Sequence, residues 1–148
     1  MSSVNALAAQ RRRARHFALQ GLYQWSMTQA NLAEIEAEFR IDNDFSHVDS
    51  EYYRSLLTGV VQDAGDLDSS FEQLLDRPLD ELDPVERALL RLGTFELKER
   101  IDVPYKVVIN ESVALAKKFG ATDSYRYING VLDKVARSYR QIEIDAEA

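Results

Sequence analysis

The chain has no cysteine in its 148 residues. Disulfides, thiolate catalysis and cysteine-ligated zinc or iron–sulfur sites are thereby excluded. Three prolines and six glycines leave little material for turns, which favours long helices over many short strands. No apolar run approaches the ~20 residues that span a bilayer. The amino terminus carries no basic residue ahead of its short apolar patch, so a secretion signal is not expected and a cytoplasmic location is. The two histidines, His16 and His47, stand far apart and not at metal-ligand spacing. Phosphate-cradling glycine loops, a dinucleotide fingerprint and a nucleophile elbow are missing too, so neither cofactor, metal nor catalysis is expected.

Negative charge is absent from one end. No acidic residue precedes Glu34, yet Arg11-Arg12-Arg13-Ala14-Arg15 stands within that stretch. The whole chain has 25 Asp+Glu against 18 Lys+Arg, a net charge of −7. Positive charge gathered at one end of an acidic protein suits a polyanion. The run is open to two readings, a contact array for phosphates or a solvated helix start. Ala14, Ala18, Gly21, Leu22 and Trp25 recur at helical spacing and define a face fit for burial. Arg12, His16, Gln20 and Tyr23 fall on roughly the opposite side. Arginines and a tyrosine on one exposed stripe suit a nucleic acid strand, because guanidiniums meet phosphates and rings stack on bases. Alternatively, Tyr23 packs against a neighbouring helix.

Helix signals continue along the chain. The first helix is expected to run to about Met27. Asn31 with Glu34 resembles a capping box, and Asp49 caps a long helix after a polar loop from Asp42 to Val48. Gly65-Asp66 is expected to interrupt that helix before Leu67, Phe71, Leu74 and Leu75 resume it up to Arg77-Pro78. Asp83-Pro84-Val85-Glu86 is the clearest start, a capping aspartate with proline at the first helical position. The helix it opens has an unusually wide apolar arc and should be central. Its polar strip is Arg87, Arg91, Thr94 and Lys98, and Glu96 in the arc requires a hydrogen-bonding partner. Pro104 begins a further helix that Gly120 ends, with Lys106 and Asn110 on its outer face. Thr122 or Asp123 caps the last helix, which buries Ile128, Val131, Leu132, Val135 and Tyr139, while Tyr127 lies off that face beside Lys134. No period-two strand appears. The expectation is one all-α domain over residues 1–148, a compact bundle of about seven helices in two small groups about the Asp83 helix, frayed over 1–9 and 141–148.

These segments resemble the NusB family of bacterial transcription antitermination factors from Ala9 to Arg137. The matching blocks are the arginine run with Leu22-Tyr23-Gln24-Trp25, Leu56-Leu57-Thr58-Gly59-Val60 and Val85-Glu86-Arg87-Ala88-Leu89-Leu90-Arg91. More specific are Asp102-Val103-Pro104-Tyr105-Lys106-Val107-Val108-Ile109-Asn110-Glu111, Phe119-Gly120 and Tyr127-Ile128-Asn129-Gly130-Val131-Leu132-Asp133-Lys134. The resemblance implies an all-α domain that pairs with NusE, a small-subunit ribosomal protein, and binds single-stranded boxA RNA of nascent ribosomal RNA transcripts. The complex would join other Nus factors on RNA polymerase, with no reaction catalysed and no membrane involved.

By position, the resemblance implies RNA contact at Arg11, Arg12, Arg13, Arg15, Tyr23 and Tyr127, with Asp123 near the RNA edge weakening phosphate contact. It implies a NusE-facing side at Glu86, Arg87 and Arg91, with Lys106 and Asn110 on a neighbouring face open to either partner. Two departures stand out. His16 replaces an acidic residue of familiar members and adds positive charge below about pH 6.5. The ending is acidic where a basic one is familiar. Two rival functions follow from the same residues, a helical module that docks proteins alone and a substrate-binding domain of an RNA cytosine methyltransferase. The second lacks the cysteines its chemistry uses.

Overall fold

A computed structural model describes residues 3–147. Its helices are α1 (Ser3–Thr28), α2 (Leu32–Asp42), α3 (Ser50–Gln62), α4 (Ala64–Glu72), α5 (Pro84–Glu99), α6 (Tyr105–Phe119), α7 (Ser124–Tyr139) and α8 (Gln141–Ala146), with a 3₁₀ turn at Leu79–Glu81. No strand occurs among the described residues. The chain divides between Gln62 and Asp63 into two compact units.

The first unit packs α1 against α2 and α3. Ala14 and Ala18 are fully buried, as are Ile35, Tyr53, Leu56, Leu57 and Val60. The expected face of α1 is therefore the buried one, apart from Trp25, which is only half-buried. Asn31 caps α2 by accepting from the Ala33 amide at 2.8 Å, and Asp49 caps α3 through the Tyr52 amide at 3.0 Å. Phe17 stacks on Phe45 at 5.0 Å, and Phe45 meets Tyr53 edge-on at 5.1 Å. These rings tether the loop between α2 and α3. Burial pushes the Tyr53 phenol far above its ordinary range, and the Glu36 charge adds to the effect.

The second unit is built round α5. Asp83 caps it by accepting from the Val85 amide at 2.8 Å, with Pro84 at its start. Helices α4, α6 and α7 all pack on it, and Leu89, Leu90 and Leu97 are completely buried. A Cβ at Gly93 would come within 2.7 Å of Leu132 and 3.1 Å of the Ser112 hydroxyl. Glycine there lets α5, α6 and α7 meet. At Gly120, which ends α6, a Cβ would lie 2.8 Å from the Ala116 carbonyl oxygen. Close approach demands glycine here, since its φ of −90° suits any residue.

Several expectations change. The wide arc of α5 is covered by helices of its own unit, so the two groups divide after Gln62 and not about α5. The helix break falls at Asp63, and Gly65 is helical with open space around it. Helix α4 stops at Glu72, leaving Leu74 in a turn and Leu75 in irregular chain. Tyr139 is 37% exposed and shares a hydrogen bond with the Ser70 hydroxyl at 2.8 Å, because the last residue of α7 turns towards α4. Both terminal segments are helical where they are described. Alanine-rich sequence carries α1 back to Ser3, and α8 is held by ion pairs. Residues 1, 2 and 148 of those segments lie outside the described residues.

Arg140 explains the order at that end. It is 4% exposed and donates to the carbonyls of Leu97 at 2.7 Å, Val103 at 2.9 Å, Arg100 at 2.9 Å and Glu96 at 3.2 Å. Carbonyls at and beyond the end of α5 thus gain the partners that a helix terminus lacks. Arg140 also pairs with Glu143 at 2.7 Å, whose other oxygen accepts from the Tyr105 amide at 2.8 Å. Pro104, at the cap of α6, has no side-chain acceptor to offer that amide. Replacing Arg140 with alanine should cost about 3 kcal/mol, since several buried charge-assisted bonds vanish together. A urea midpoint unchanged from wild type would contradict this.

Candidate nucleic-acid interface

A helix turns 100° per residue, so the four arginines of α1 cannot share a face. Arg11 and Arg15, four residues apart, both turn to Tyr52 of α3. Their guanidiniums lie 4.5 and 5.3 Å from its ring centroid. Arg15 is 3% exposed and donates to the Tyr52 hydroxyl at 3.4 Å. Arg11 Nε lies 3.6 Å from the Asp49 carboxylate, and the Asp49 amide donates to the Gln10 carbonyl at 3.2 Å. Arg12 and Arg13 are exposed, and Arg13 donates to the His47 carbonyl at 3.0 Å.

Arg15 is thus corrected as a phosphate contact. The burial of Ala14 and Ala18 against α3 turns its side chain inward, and a guanidinium seated on an aromatic ring is held by cation–π attraction. Arg12 and Arg13 remain as outward cations, with Arg11 half-buried behind them. Tyr23 is 40% exposed. Eleven residues beyond Arg12, it returns to nearly the same stripe, ~16 Å along the axis.

The second unit holds Tyr127 and Asp123. Tyr127 is half-buried, not an open stacking face, because the Arg77 guanidinium covers its ring at 4.5 Å from the centroid. It therefore lies beside Arg77, where the sequence pointed to Lys134. Arg77 donates to both oxygens of Asp76, at 2.8 and 3.3 Å, and reaches within 4.0 Å of Glu86. That hydrogen bond holds the Asp76 carboxyl below its usual range, while burial pushes the Tyr127 phenol up. Asp123 occupies the cap position of α7 but makes no side-chain cap bond, since its ψ of 9° departs from the extended geometry capping needs. Its carboxylate is exposed and 4.0 Å from Arg126.

Residues expected on the NusE side separate into two sets. Glu86 is 7% exposed and accepts from the Ser124 hydroxyl at 2.9 Å. Arg91 makes a two-point pair with Asp68 of α4 at 2.8 and 2.7 Å. Both are occupied within their own unit, because α5 is enclosed on most sides and its polar groups must find partners there. Arg87 is half-buried, and Asn110 and Lys106 are exposed. The Lys106 ammonium lies 2.9 Å from Glu147, whose carboxyl is held low by that bond.

Sequence reading missed Arg77 and Tyr52 as partners of site residues, and it missed a cationic cluster about Tyr125. Lys117 lies over that ring at 4.8 Å, and Arg126 donates to its hydroxyl at 3.1 Å. The Lys117-Lys118 pair close ahead of Tyr125-Arg126 was the available signal. Among the described residues, no three His, Cys, Asp or Glu side chains could hold a metal ion. No helix there is long and apolar enough to cross a membrane.

An all-helical chain with cations and aromatics paired on its surfaces defines a class of candidate nucleic-acid-binding proteins. The NusB family profile matches residues 12–137, and the chain belongs to the NusB family. It is 59% identical over 144 residues to the transcription antitermination protein NusB of Teredinibacter turnerae, covering 97% of this chain and 98% of that one. It is 55% identical over 139 residues to the protein of that name from Pseudomonas savastanoi pv. phaseolicola, covering 94% and 84%. Among solved structures, T. maritima NusB aligns with a TM-score of 0.81 at 28% identity, over 91% of this chain and 96% of that one. A structure described as antitermination factors NusB and NusE in complex with dsRNA aligns with a TM-score of 0.71 at 30% identity, covering 86% and 96%.

The two sets of arginines should respond differently to mutation. Arg15→Ala should lower stability by about 1–3 kcal/mol through lost packing and hydrogen bonding. A double replacement of Arg12 and Arg13 with alanine should leave the melting temperature within a degree or two, about 0.5 kcal/mol or less. Thermal melts monitored by circular dichroism separate the cases, and the reverse ranking would refute the assignment.

Proposed function

We propose that the chain is a transcription antitermination factor that binds single-stranded boxA RNA together with NusE, as part of a Nus complex on RNA polymerase. The names of its relatives support antitermination, and a solved complex of NusB and NusE with dsRNA supports binding to RNA together with NusE. The observation that carries it is the outward placement of Arg12 and Arg13 on α1, in a chain of net charge −7. Repulsion from the acidic remainder keeps RNA affinity low for the chain alone, and a basic partner raises it by linkage. The protein is an adaptor in the cytoplasm and catalyses no reaction. Tyr23 favours a single strand, since a duplex offers no unstacked base to its ring. Arg87, Lys106 and Asn110 are the residues left to face NusE.

Two or three phosphates engaged by Arg12, Arg13 and part of Arg11 give a salt slope near −2 on a double-logarithmic plot, at about −0.7 per single-strand contact. Titration of boxA, scrambled and duplex RNA, each with and without NusE at two salt concentrations, tests the reading. NusE should tighten boxA binding many-fold and leave scrambled RNA weak. Equal affinity with and without NusE, or equal affinity for all three RNAs, would overturn it.

A further inference from the structure

The acidic helix α8 lies against the start of α6. Glu143 and Glu147 stand four residues apart, about one helical turn, and both carboxylates reach that start. Glu143 accepts from the Tyr105 amide at 2.8 Å and pairs with Arg140 at 2.7 Å. Glu147 lies 2.9 Å from the Lys106 ammonium and accepts from the Tyr105 hydroxyl at 3.2 Å. Asp145, the carboxylate between them, accepts from the Gln141 amide at 2.7 Å instead.

The two attachments differ in strength. The Arg140 side chain is 3% exposed, so its pair with Glu143 is the fixed root of α8. Lys106 and Glu147 are 64% and 41% exposed, and an ion pair so open is weak and screened by salt. That bond holds the Glu147 carboxyl below its ordinary range and the Lys106 ammonium above its own, so both stay charged at neutral pH. Six residues are too few for a helix to be stable alone. Helix α8 is therefore anchored firmly at one end and only lightly at the other.

The groups at the light end suit an anion. An ammonium and a phenol hydroxyl converge there in the first turn of α6, where the helix dipole adds positive potential. A carboxylate of the chain itself fills the place that phosphate oxygens would take. A basic partner gains nothing by displacing it, so the competitor that it excludes is a polyanion.

We propose that α8 is a built-in phosphate mimic, whose Glu147 withholds Lys106 from the phosphates of single-stranded RNA. Tethered to the chain, this carboxylate competes at high local concentration whatever the RNA sequence. The inference rests on the RNA-binding reading and deepens it, by giving the second unit an autoinhibitory contact against non-cognate RNA.

The test titrates the full chain with scrambled single-stranded RNA at low salt, without NusE. Glu147→Gln should bind about threefold more tightly than wild type, the worth of one exposed charge contact. Asp145→Asn removes the same charge but not the bond to Lys106, and should stay near wild type. Adding Lys106→Ala to Glu147→Gln should abolish the gain, and melts confirm that every variant is folded. Inorganic tripolyphosphate probes the same place without RNA. It should shift the Lys106 and Tyr105 resonances of Glu147→Gln at concentrations that leave those of wild type in place. Equal gains from Glu147→Gln and Asp145→Asn would mean general repulsion and overturn the proposal. So would a gain that survives Lys106→Ala, no gain at all, or equal tripolyphosphate shifts in wild type and Glu147→Gln. Weaker NusE pairing by Glu147→Gln, with RNA affinity unchanged, would make α8 a protein-docking element and also overturn it. Absence of RNA binding by all variants, with the tripolyphosphate shifts as expected, would remove the RNA-binding reading and leave the mimic standing.

Discussion

The burial of Ala14 and Ala18 fixes the rotation of α1, and it seats Arg11 and Arg15 on Tyr52. Once two arginines turn inward, the helical repeat obliges Arg12 and Arg13 to turn outward. Tyr52 serves this arrangement twice. Its ring supports both guanidiniums, and its amide is held by Asp49, which also lies 3.6 Å from Arg11. Tyr52 of α3 and the aspartate that caps that helix thus hold two of the four arginines of α1. A run of four like charges is divided into a pair seated on Tyr52 and a pair exposed to solvent.

The second unit uses arginine in a comparable way, with different consequences. Arg140 is spent inside on carbonyls, Arg91 on Asp68, and Arg77 on an aromatic ring and a carboxylate. Guanidinium suits such tasks because it is planar, weakly hydrated and permanently charged. Of these three, Arg77 is the most exposed, with 39% of its side chain open to solvent. The enclosure of α5 by α4, α6 and α7 is the underlying reason. A helix covered on three sides leaves its polar residues few routes to solvent, and internal partners claim them first.

Much of the fold is legible in the sequence. Asn31, Asp49 and Asp83 cap where their spacing says they should. The apolar arc of α5 announces a central helix, and the small residues of α1 announce its buried face. Family blocks identify the chain as well. What escapes is whatever depends on long-range partners. Nothing near Arg15 in sequence indicates that Tyr52 waits for it, and nothing near Tyr127 indicates Arg77. Periodicity assigns a side to each residue, but it assigns arginine by habit to solvent. Helix α8 was hidden similarly, since the partners of its Glu143, Arg140 and the Tyr105 amide, come from packing and not from local pattern.

The central claim is that α1 presents Arg12 and Arg13 and withholds Arg15. Arginine side-chain Nε–Hε resonances report this residue by residue during titration of the chain and NusE with boxA RNA. The signals of Arg12 and Arg13 should shift with the binding isotherm, while that of Arg15 keeps its position. A shift at Arg15 with Arg12 and Arg13 unmoved would contradict the account.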